Sequence, residues 1–440
     1  MSDRPTFETQ LRLALSSYAS DAPVDVDAVA MAAYARNAPL SSRSWALRRR
    51  WLTPALLGCL LLAAAAGIYV GSRLLQAPDI PDLTIHSPLT IDQTDTMSVT
   101  RSGAAAVDLG DGRILVVGGD NGYPPDRGPQ YSAEIYDPTT GTFTVANGRM
   151  SEGRSDLSAT RLRDGRVLVL GGRQSGSFLA SADVFDPETG TFTPLGPMGA
   201  ARAGHAAVLL RDGRVAIIGG ETDPGIASES VAAKPDVEYY DPTTAQYVAG
   251  PSDRGLEWLD PTAAVMPDGR ILIGRGALQL GVGAVGGPVI LDPTTGRLTV
   301  AIDRPDSVVA DVVTLHDGRA VIATAGVTRT LWRVVRLDGK GFVKLADLPG
   351  APVAPLTTLA DGRVLILVDE HCEAIDAYVL DVDRKVLTKV GPINGLGDCD
   401  SWGGTTVTAL PSGGALIAGG NVAGGETSAD AWLVQPSAAP

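Results

Sequence analysis

A short hairpin turn recurs along the chain and constrains the fold more than any other feature. It is an Asp-Gly-Arg tripeptide flanked on both sides by apolar residues, with a Ser-Gly-Gly variant in the last copy. The copies begin at Asp111, Asp164, Asp212, Asp268, Asp317, Asp361 and Ser412. Asp-Gly between apolar runs predicts a two-residue type I′ hairpin, in which both central residues take a positive φ. Copies spaced 44 to 56 residues apart predict a repeat architecture.

A second hairpin follows the first and completes a four-stranded antiparallel unit. The strand between the two hairpins is apolar without alternation, as in Ile114–Val117, which predicts burial on both faces. Stacked propeller blades have this property. The 52 glycines and 30 prolines also suit short strands joined by tight turns. The clearest second hairpins are Tyr136–Thr144, Phe185–Thr193, Tyr240–Val248 and Leu291–Thr299.

The seventh unit lacks its outer strand, and the sequence offers a replacement. Its third strand, Asp430–Val434, runs to the end of the chain without a second hairpin. Met97 precedes the first unit, just as other methionines precede later units. In those units an outer strand lies a fixed distance before the methionine, and the same distance before Met97 places a strand at residues 87–93. We therefore predict an all-β, seven-bladed propeller over residues 87–435, closed by this strand and followed by a tail at 436–440. Six or eight blades are the alternatives.

The units resemble kelch repeats of the galactose-oxidase central-domain type. The resemblance rests on double glycines that end the second strand and on aromatic residues in strands three and four. The double glycines are Gly118-Gly119, Gly171-Gly172, Gly219-Gly220 and Gly419-Gly420, and the aromatic residues are Tyr136, Phe143, Phe185, Phe192, Tyr240 and Tyr247. Repeats four to six lack the double glycine. The resemblance implies a propeller fold, but kelch propellers differ widely in activity, so it implies little about function.

The residues before the repeats predict a membrane anchor. Trp51–Ser72 contains no charge and forms about 33 Å of helix, which is enough to cross a bilayer. Arg48–Arg50 precede this segment, so the positive-inside rule places residues 1–50 in the cytoplasm and the propeller outside the cell membrane. A cleaved signal peptide is the alternative, although 50 residues exceed an ordinary positively charged leader. We predict a single-pass protein with a partly helical tail at 1–50 and a stalk at 73–86. The tail resembles those of membrane-anchored bacterial regulators, without a specific motif.

The first strand of each blade begins ten residues before its hairpin turn, and we call the residues at these positions the lead residues. In such a propeller they ring one mouth of the central channel. Three consecutive blades have an arginine at the lead position, and the blades on either side of them in the ring have a tryptophan there. This pattern predicts a ligand site for a carboxylate or a sugar. The alternative is that the arginines pair with acids or backbone of neighbouring blades. The lead residues are Arg101, Arg154, Arg202, Trp258, Ser307, Ala351 and Trp402.

Long insertions and two cysteines add to the same face. Asp120–Tyr131 and Glu221–Pro235 connect second to third strands, and long loops on a rigid scaffold often carry binding sites. Cys372 and Cys399 lie in connections that leave blade six on this face. Because an extracytoplasmic compartment permits oxidation, we predict a Cys372–Cys399 disulfide.

No catalytic set is recognisable, and charge excludes one class of partner. Four histidines are scattered over the chain, and no paired spacing for zinc, phosphate-binding glycine loop or nucleophile elbow occurs. We predict no metal and no cofactor. The residues after position 50 hold 29 basic and 45 acidic side chains, so nucleic acid is an unfavourable partner.

These features favour recognition over catalysis. We predict a membrane-anchored extracytoplasmic module that binds a protein, peptide or glycan at the channel mouth. One alternative is an extracytoplasmic enzyme acting on polysaccharide or uronic acid. Another is a transmembrane sensor whose tail docks a cytoplasmic regulator.

Overall fold

The computed structural model describes residues 88–122, 128–222, 232–233, 236–252, 260–274, 288–301, 307–326, 332–338, 341–370, 375–396, 404–422 and 426–437. They lie in one unit of the chain, His86–Pro440. The predicted tail, membrane helix and stalk lie outside these residues and stay predictions. Within the described ranges, no helix is long and apolar enough to cross a membrane.

The described residues form 33 strands, most of them grouped into seven antiparallel blades. The strands are β1 (Leu89–Gln93); in blade 1, β2 (Ser102–Asp108), β3 (Ile114–Asp120), β4 (Ala133–Asp137) and β5 (Thr142–Val145); in blade 2, β6 (Ser158–Arg161), β7 (Val167–Leu170), β8 (Arg173–Gln174), β9 (Ser177–Phe178), β10 (Ala182–Asp186) and β11 (Thr191–Leu195); in blade 3, β12 (Ala206–Leu209), β13 (Val215–Ile218), β14 (Glu221–Thr222), β15 (Ala232–Ala233), β16 (Asp236–Asp241) and β17 (Gln246–Ser252); in blade 4, β18 (Thr262–Val265), β19 (Ile271–Gly274), β20 (Val289–Leu291) and β21 (Leu298–Val300); in blade 5, β22 (Ser307–Thr314), β23 (Ala320–Gly326), β24 (Trp332–Asp338) and β25 (Gly341–Leu348); in blade 6, β26 (Ala351–Pro352), β27 (Thr357–Thr358), β28 (Val364–Asp369), β29 (Ile375–Asp381) and β30 (Val386–Ile393); and in blade 7, β31 (Thr405–Ala409), β32 (Ala415–Gly419) and β33 (Ala431–Pro436).

The blades close into a ring around a central axis. The first strand of each blade contacts the first strand of the next, from β2 round to β31 and back to β2. β1 completes blade 7 by pairing with β33, with Ile91 opposite Val434. It lies inside the 87–93 range that the repeat spacing predicts. Closure through both ends of the domain leaves no blade without its outer strand, and the all-β, seven-bladed prediction is confirmed.

The core is divided among seven clusters of buried apolar residues, one at each seam between neighbouring blades. Strand β3 shows why. Leu115 and Val117 pack in the seam with blade 2, whereas Ile114 and Val116 pack in the seam with blade 7. Successive side chains point to opposite faces of a strand, so a strand buried on both faces must be apolar throughout.

The Asp-Gly-Arg turns differ from the prediction in type. The aspartates of the described turns are not among the non-glycine residues with a positive φ. The glycine of one such turn, Gly165, has a φ of 89°. In this turn the Gly165 N–H donates to the Leu162 carbonyl, and the Asp164 carboxylate accepts the Arg166 N–H at 3.1 Å. The two-residue type I′ prediction is therefore wrong. The loop is one residue longer and only its glycine is left-handed, because the aspartate caps the turn from a right-handed conformation.

Candidate functional site

The first strands begin at one end of the channel, which we call the mouth face, and end at the Asp-Gly-Arg turns on the opposite turn face. Connections from second to third strands also lie on the mouth face. Two of these connections contain ribbons, β8–β9 in blade 2 and β14–β15 in blade 3. On the turn face the arginines pair with the aspartates two residues before them, as Arg166 does with Asp164 at 2.7 Å. These charges largely neutralise each other within their own turns.

The three lead arginines are buried inside the blades. Arg154 is fully buried, and its guanidinium donates to the Gly171 and Ser181 carbonyl oxygens at 3.0 and 2.8 Å. It also pairs with the buried carboxylate of Asp183 at 2.9 Å. Burial lowers the pKa of Arg154, and the facing carboxylate opposes that shift. These partners of the Arg154 guanidinium all belong to blade 2 itself.

Arg101 and Arg202 repeat this arrangement in blades 1 and 3. Arg101 pairs with Glu134 at 3.1 Å, and Arg202 pairs with Asp236 at 3.1 Å. These contacts favour the structural alternative for the arginines, with the difference that the acids belong to the same blade. Contact with a ligand would need these side chains to leave buried ion pairs, and their role in ligand binding stays a prediction.

The lead arginines also join each blade to the one before it through their backbone. The Arg154 carbonyl accepts the Gly119 N–H at 2.9 Å, and the Arg202 carbonyl accepts the Gly172 N–H at the same distance. A Cβ on Gly171 would lie 2.5 Å from the Arg202 oxygen, and Gly171 has a φ of 56°. The double glycine is therefore required by the close approach of the next blade.

The two lead tryptophans, Trp258 and Trp402, lie outside the described residues, as do Cys372 and Cys399. Their predicted roles in ligand binding and in a disulfide stay predictions. Residues two positions after the tryptophans, Asp260 and Gly404, are described. They belong to a second ring of positions that the lead residues did not reveal.

This inner ring consists of the residues two positions after the lead residues, five of which have a positive φ. Backbone hydrogen bonds link neighbouring members: Asp156 N–H donates to the Gly103 carbonyl and Gly204 N–H to the Asp156 carbonyl, each at 2.8 Å. The left-handed members are Gly103, Asp156, Gly204, Asp260 and Gly404, with φ of 65°, 53°, 58°, 44° and 89°. Glycine adopts this conformation freely, whereas a residue with a side chain does so at a cost.

Two inner-ring positions carry an aspartate where three others carry glycine. A Cβ on Gly103 would lie 2.6 Å from an Asp156 carboxylate oxygen, and a Cβ on Gly204 would lie even closer to an Asp260 carboxylate oxygen. Each aspartate thus extends over a glycine of the preceding blade, and each glycine leaves the space for it. Strained conformations in a folded protein cluster at functional sites. The missed sequence signal was aspartate at a position where blades 1, 3 and 7 use glycine.

Asp156 and Asp260 are both exposed, and the Asp156 charge acts on the carboxyl group of Asp260, so the two carboxyl groups form one acidic patch, which we call the recess. Burial and the neighbouring Asp156 charge raise the pKa of Asp260 to about 6, although Arg173 opposes the shift. Burial also raises the pKa of Asp156, whose side chain is 46% exposed, and the charge of Asp120 acts in the same direction. Like charges held close together in a partly desolvated recess disfavour double ionisation.

One cation, Arg173, lies beside this acidic recess. Its Nε is 3.7 Å from an Asp156 carboxylate oxygen, and its guanidinium forms a close ion pair with the buried Glu221 of blade 3. The guanidinium carbon also lies 5.0 Å from the centre of the Phe178 ring. Arg173 is therefore held by three groups while remaining 34% exposed.

An exposed aromatic ring lies in the seam between blades 1 and 2. Tyr131 is 43% exposed, and its hydroxyl accepts a hydrogen bond from the Gln174 amide at 2.9 Å. A Cβ on Gly153 would lie 2.8 Å from the ring, so the tyrosine packs directly on the backbone that precedes Arg154. The predicted loop Asp120–Tyr131 thus contributes its last residue to this face.

His205, one of the four histidines scattered along the sequence, lies between blades 2 and 3. Its Nε2 is 2.8 Å from the Ser158 hydroxyl. Burial and the neighbouring Arg202 lower its pKa to about 3, so the ring is neutral at physiological pH. The contact joins two blades and adds no charge to the recess.

Within the described ranges, no group of three or more His, Cys, Asp or Glu side chains is arranged to hold a metal ion. The recess instead combines carboxylates, one guanidinium, an amide and an aromatic ring. The fold and the lead-arginine pattern together define a closed, seven-bladed propeller of repeated β-sheets.

Comparisons with known proteins agree with this class. The family model of the kelch motif matches residues 101–148 and 161–199. A solved structure of a fungal alcohol oxidase of the AA5 family, with catalytic diversity and in complex with copper, has a TM-score of 0.54 at 16% identity and covers 80% of this chain and 77% of that chain. At this identity the likeness concerns the fold alone. A comparison with curated proteins gave no match. The chain is a seven-bladed β-propeller in which blades 1 and 2 match the kelch motif.

Proposed function

We propose that this propeller is a binding module whose ligand docks in the mouth-face recess between blades 1 and 4. Propellers of the kelch class commonly serve in binding, which supports the assignment at the level of class. The observation that carries the proposal is the pair Asp156 and Asp260, each held in a left-handed conformation where other blades carry glycine. The lead arginines hold the blades together beneath this surface.

The test uses glycine, the residue that blades 1, 3 and 7 carry at this position. Asp156→Gly and Asp260→Gly remove a carboxylate and relieve backbone strain, so both variants should fold at least as stably as the wild type. Full-length wild type and both variants are compared on one array of peptides and one of glycans. We expect the wild type to retain at least one ligand and the variants to lose it at least tenfold.

Asp164→Asn is the matched control, because it removes one carboxylate from the turn face. Its binding profile should equal that of the wild type. If both glycine variants bind as the wild type does, the recess is not the binding site.

A second candidate function is hydrolysis of a polysaccharide or uronic acid polymer outside the cytoplasm. It is favoured by one observation, the carboxyl group of Asp260 with a pKa of about 6 beside that of Asp156. Glycoside hydrolysis uses one protonated and one ionised carboxyl group, and neighbouring environments that separate their pKa values supply them. New reducing ends, with a bell-shaped pH profile that Asp260→Gly abolishes, would support this function. Absence of product from neutral, amino and uronic polysaccharides would exclude it.

We also propose that residues 51–72 anchor the protein in a membrane with the propeller outside. The uncharged segment and the arginines before it support this topology. Protease added to intact cells should degrade the propeller while leaving an epitope at the N-terminus protected. A propeller that is protected from the added protease would indicate the opposite orientation.

A sensor function through the tail is a further proposal, supported by the residues left on the opposite side of that segment. Deleting residues 1–47 should change transcription without changing the amount of protein or the ligand profile of the propeller. An unaltered transcript profile would remove the sensor function.

A further inference from the structure

We infer that Asp311 is a pH-sensitive latch, which holds the first strand of blade 6 against blade 5 and loosens this seam when its carboxyl group ionises. The latch lies between blades 5 and 6, whereas the recess lies between blades 1 and 4. The inference is therefore independent of the proposed binding function.

The first strand of blade 6 is interrupted. Its two short pieces, Ala351–Pro352 and Thr357–Thr358, pair separately with β28. Pro352 and Pro355 have no N–H group and cannot donate to a sheet ladder. The Leu356 N–H lies between the two pieces and belongs to neither ladder. Because a buried N–H needs an acceptor, its partner must come from outside these ladders.

Asp311 of blade 5 supplies that acceptor. One of its carboxylate oxygens accepts the Leu356 N–H across the seam, and the other accepts the Val312 N–H at 2.7 Å. Asp311 and Leu356 are both buried. Leu356 also packs in the apolar cluster of this seam, with Trp332 of blade 5 and Val364 of blade 6. A single carboxyl group thus connects the interrupted strand to blade 5 beside that cluster.

A bulge in β22 explains why Asp311 reaches blade 6. The pairing of β22 with β23 shifts register between Val309 and Asp311. Val309 packs in the seam with blade 4, and in a regular strand a residue two positions later faces the same side. The bulge redirects the chain at this point, so the Asp311 carboxyl group can accept from Leu356 of blade 6 instead.

The strands packed against β22 offer Asp311 no charged partner. These strands are β18 and β19 of blade 4, β23 of blade 5 and β27 of blade 6, and none of them contains a titratable residue. Burial raises the pKa of Asp311 to about 7, although the N–H groups of Leu356 and Val312 oppose the shift. An ionised Asp311 is therefore held by backbone N–H groups in a desolvated seam.

The direction of the pH effect follows from linkage. Opening the seam admits water, and the pKa of the hydrated carboxyl group returns towards the ordinary value of about 4. Between this value and about 7 the open form binds fewer protons than the closed form, so opening becomes easier as the pH rises. Below this window both forms are protonated, and above it both are ionised. The seam should therefore loosen as the pH approaches neutrality.

Hydrogen–deuterium exchange of the full-length chain tests the latch. Peptides are compared at pH 5 and pH 8 by mass spectrometry, and each is normalised to the unfolded chain at the same pH to remove the intrinsic pH dependence of exchange. Peptides from β22 and from residues 353–359 should lose protection by at least about tenfold between pH 5 and pH 8. Peptides from β7 in blade 2 should keep their protection.

Asp311→Asn keeps an oxygen acceptor but cannot ionise, so the loss of protection at pH 8 should disappear in this variant. Asp164→Asn, on the turn face, is the matched control and should keep the wild-type profile. The inference is overturned if the β22 and 353–359 peptides stay protected at pH 8, or if all blades lose protection equally. If Asp311→Asn does not fold, the wild-type comparison of these peptides with those of β7 decides.

Discussion

Replacing Arg154 by methionine tests the structural role of the lead arginines. The change removes hydrogen bonds to the Gly171 and Ser181 carbonyl oxygens and leaves Asp183, whose side chain has no exposed surface, without its cation. Breaking a buried pair from one side costs about 3–5 kcal/mol, because the remaining charge stays desolvated. We expect a loss of about 4 kcal/mol in the free energy of unfolding, near the middle of that range.

The matched comparison is Arg202→Met. Arg202 contacts two carboxylates. Asp236 at 3.1 Å is 27% exposed and regains water when the arginine is removed, whereas Glu238 at 3.6 Å is 10% exposed, so we expect a smaller loss than in Arg154→Met, about 3 kcal/mol. The double variant Arg154→Met/Asp183→Leu should recover much of the loss, since a buried ion pair exchanged for apolar side chains is often neutral.

Urea denaturation followed by circular dichroism measures all three variants at pH 7. A loss below about 1 kcal/mol, or equal losses for Arg154→Met and Arg202→Met, would refute the reasoning.

Three other predictions follow from the structure. Gly171→Ala should cost at least about 1 kcal/mol more than Gly165→Ala in urea denaturation, because only Gly171 meets the carbonyl of the next blade; equal costs would contradict this. Burial raises the pKa of Asp311 to about 7, above its unfolded value, so its contribution to stability is complete below pH 4 and is lost as the pH rises through 7. The stability of Asp311→Asn relative to wild type should therefore increase from pH 5 to pH 8, and a constant difference would show that Asp311 does not titrate there. Mass spectrometry of non-reduced peptides should find Cys372 joined to Cys399, and two free thiols would remove the disulfide.

The hairpin repeats alone were enough to predict seven blades and the position of the closing strand. Local chemistry carries that information, since Asp-Gly turns and unbroken apolar strands report their own structure. The turn type was missed, because the sequence pattern does not distinguish Asp164 in a right-handed conformation from a left-handed one. The kelch resemblance also came from local residues, the double glycines.

The sequence alone could not predict the partners of the lead arginines. Arg154 and Asp183 are 29 residues apart and meet only because the first and third strands of blade 2 lie on either side of the second. The regular spacing of the arginines around a mouth therefore suggested an exposed set, whereas each side chain turns into its own blade.

The recess was decided by tertiary structure. Asp156 and Asp260 are 104 residues apart, and neither belongs to a motif that announces chemistry. The ring brings them together because equivalent positions of successive blades lie side by side at the channel, so that Asp156 and Asp260 flank Gly204. By itself the sequence determined the repeat, and with it the fold, because repeats report local structure. Only closure of the ring decided which departures from the repeat share one site, since that depends on contacts between distant blades.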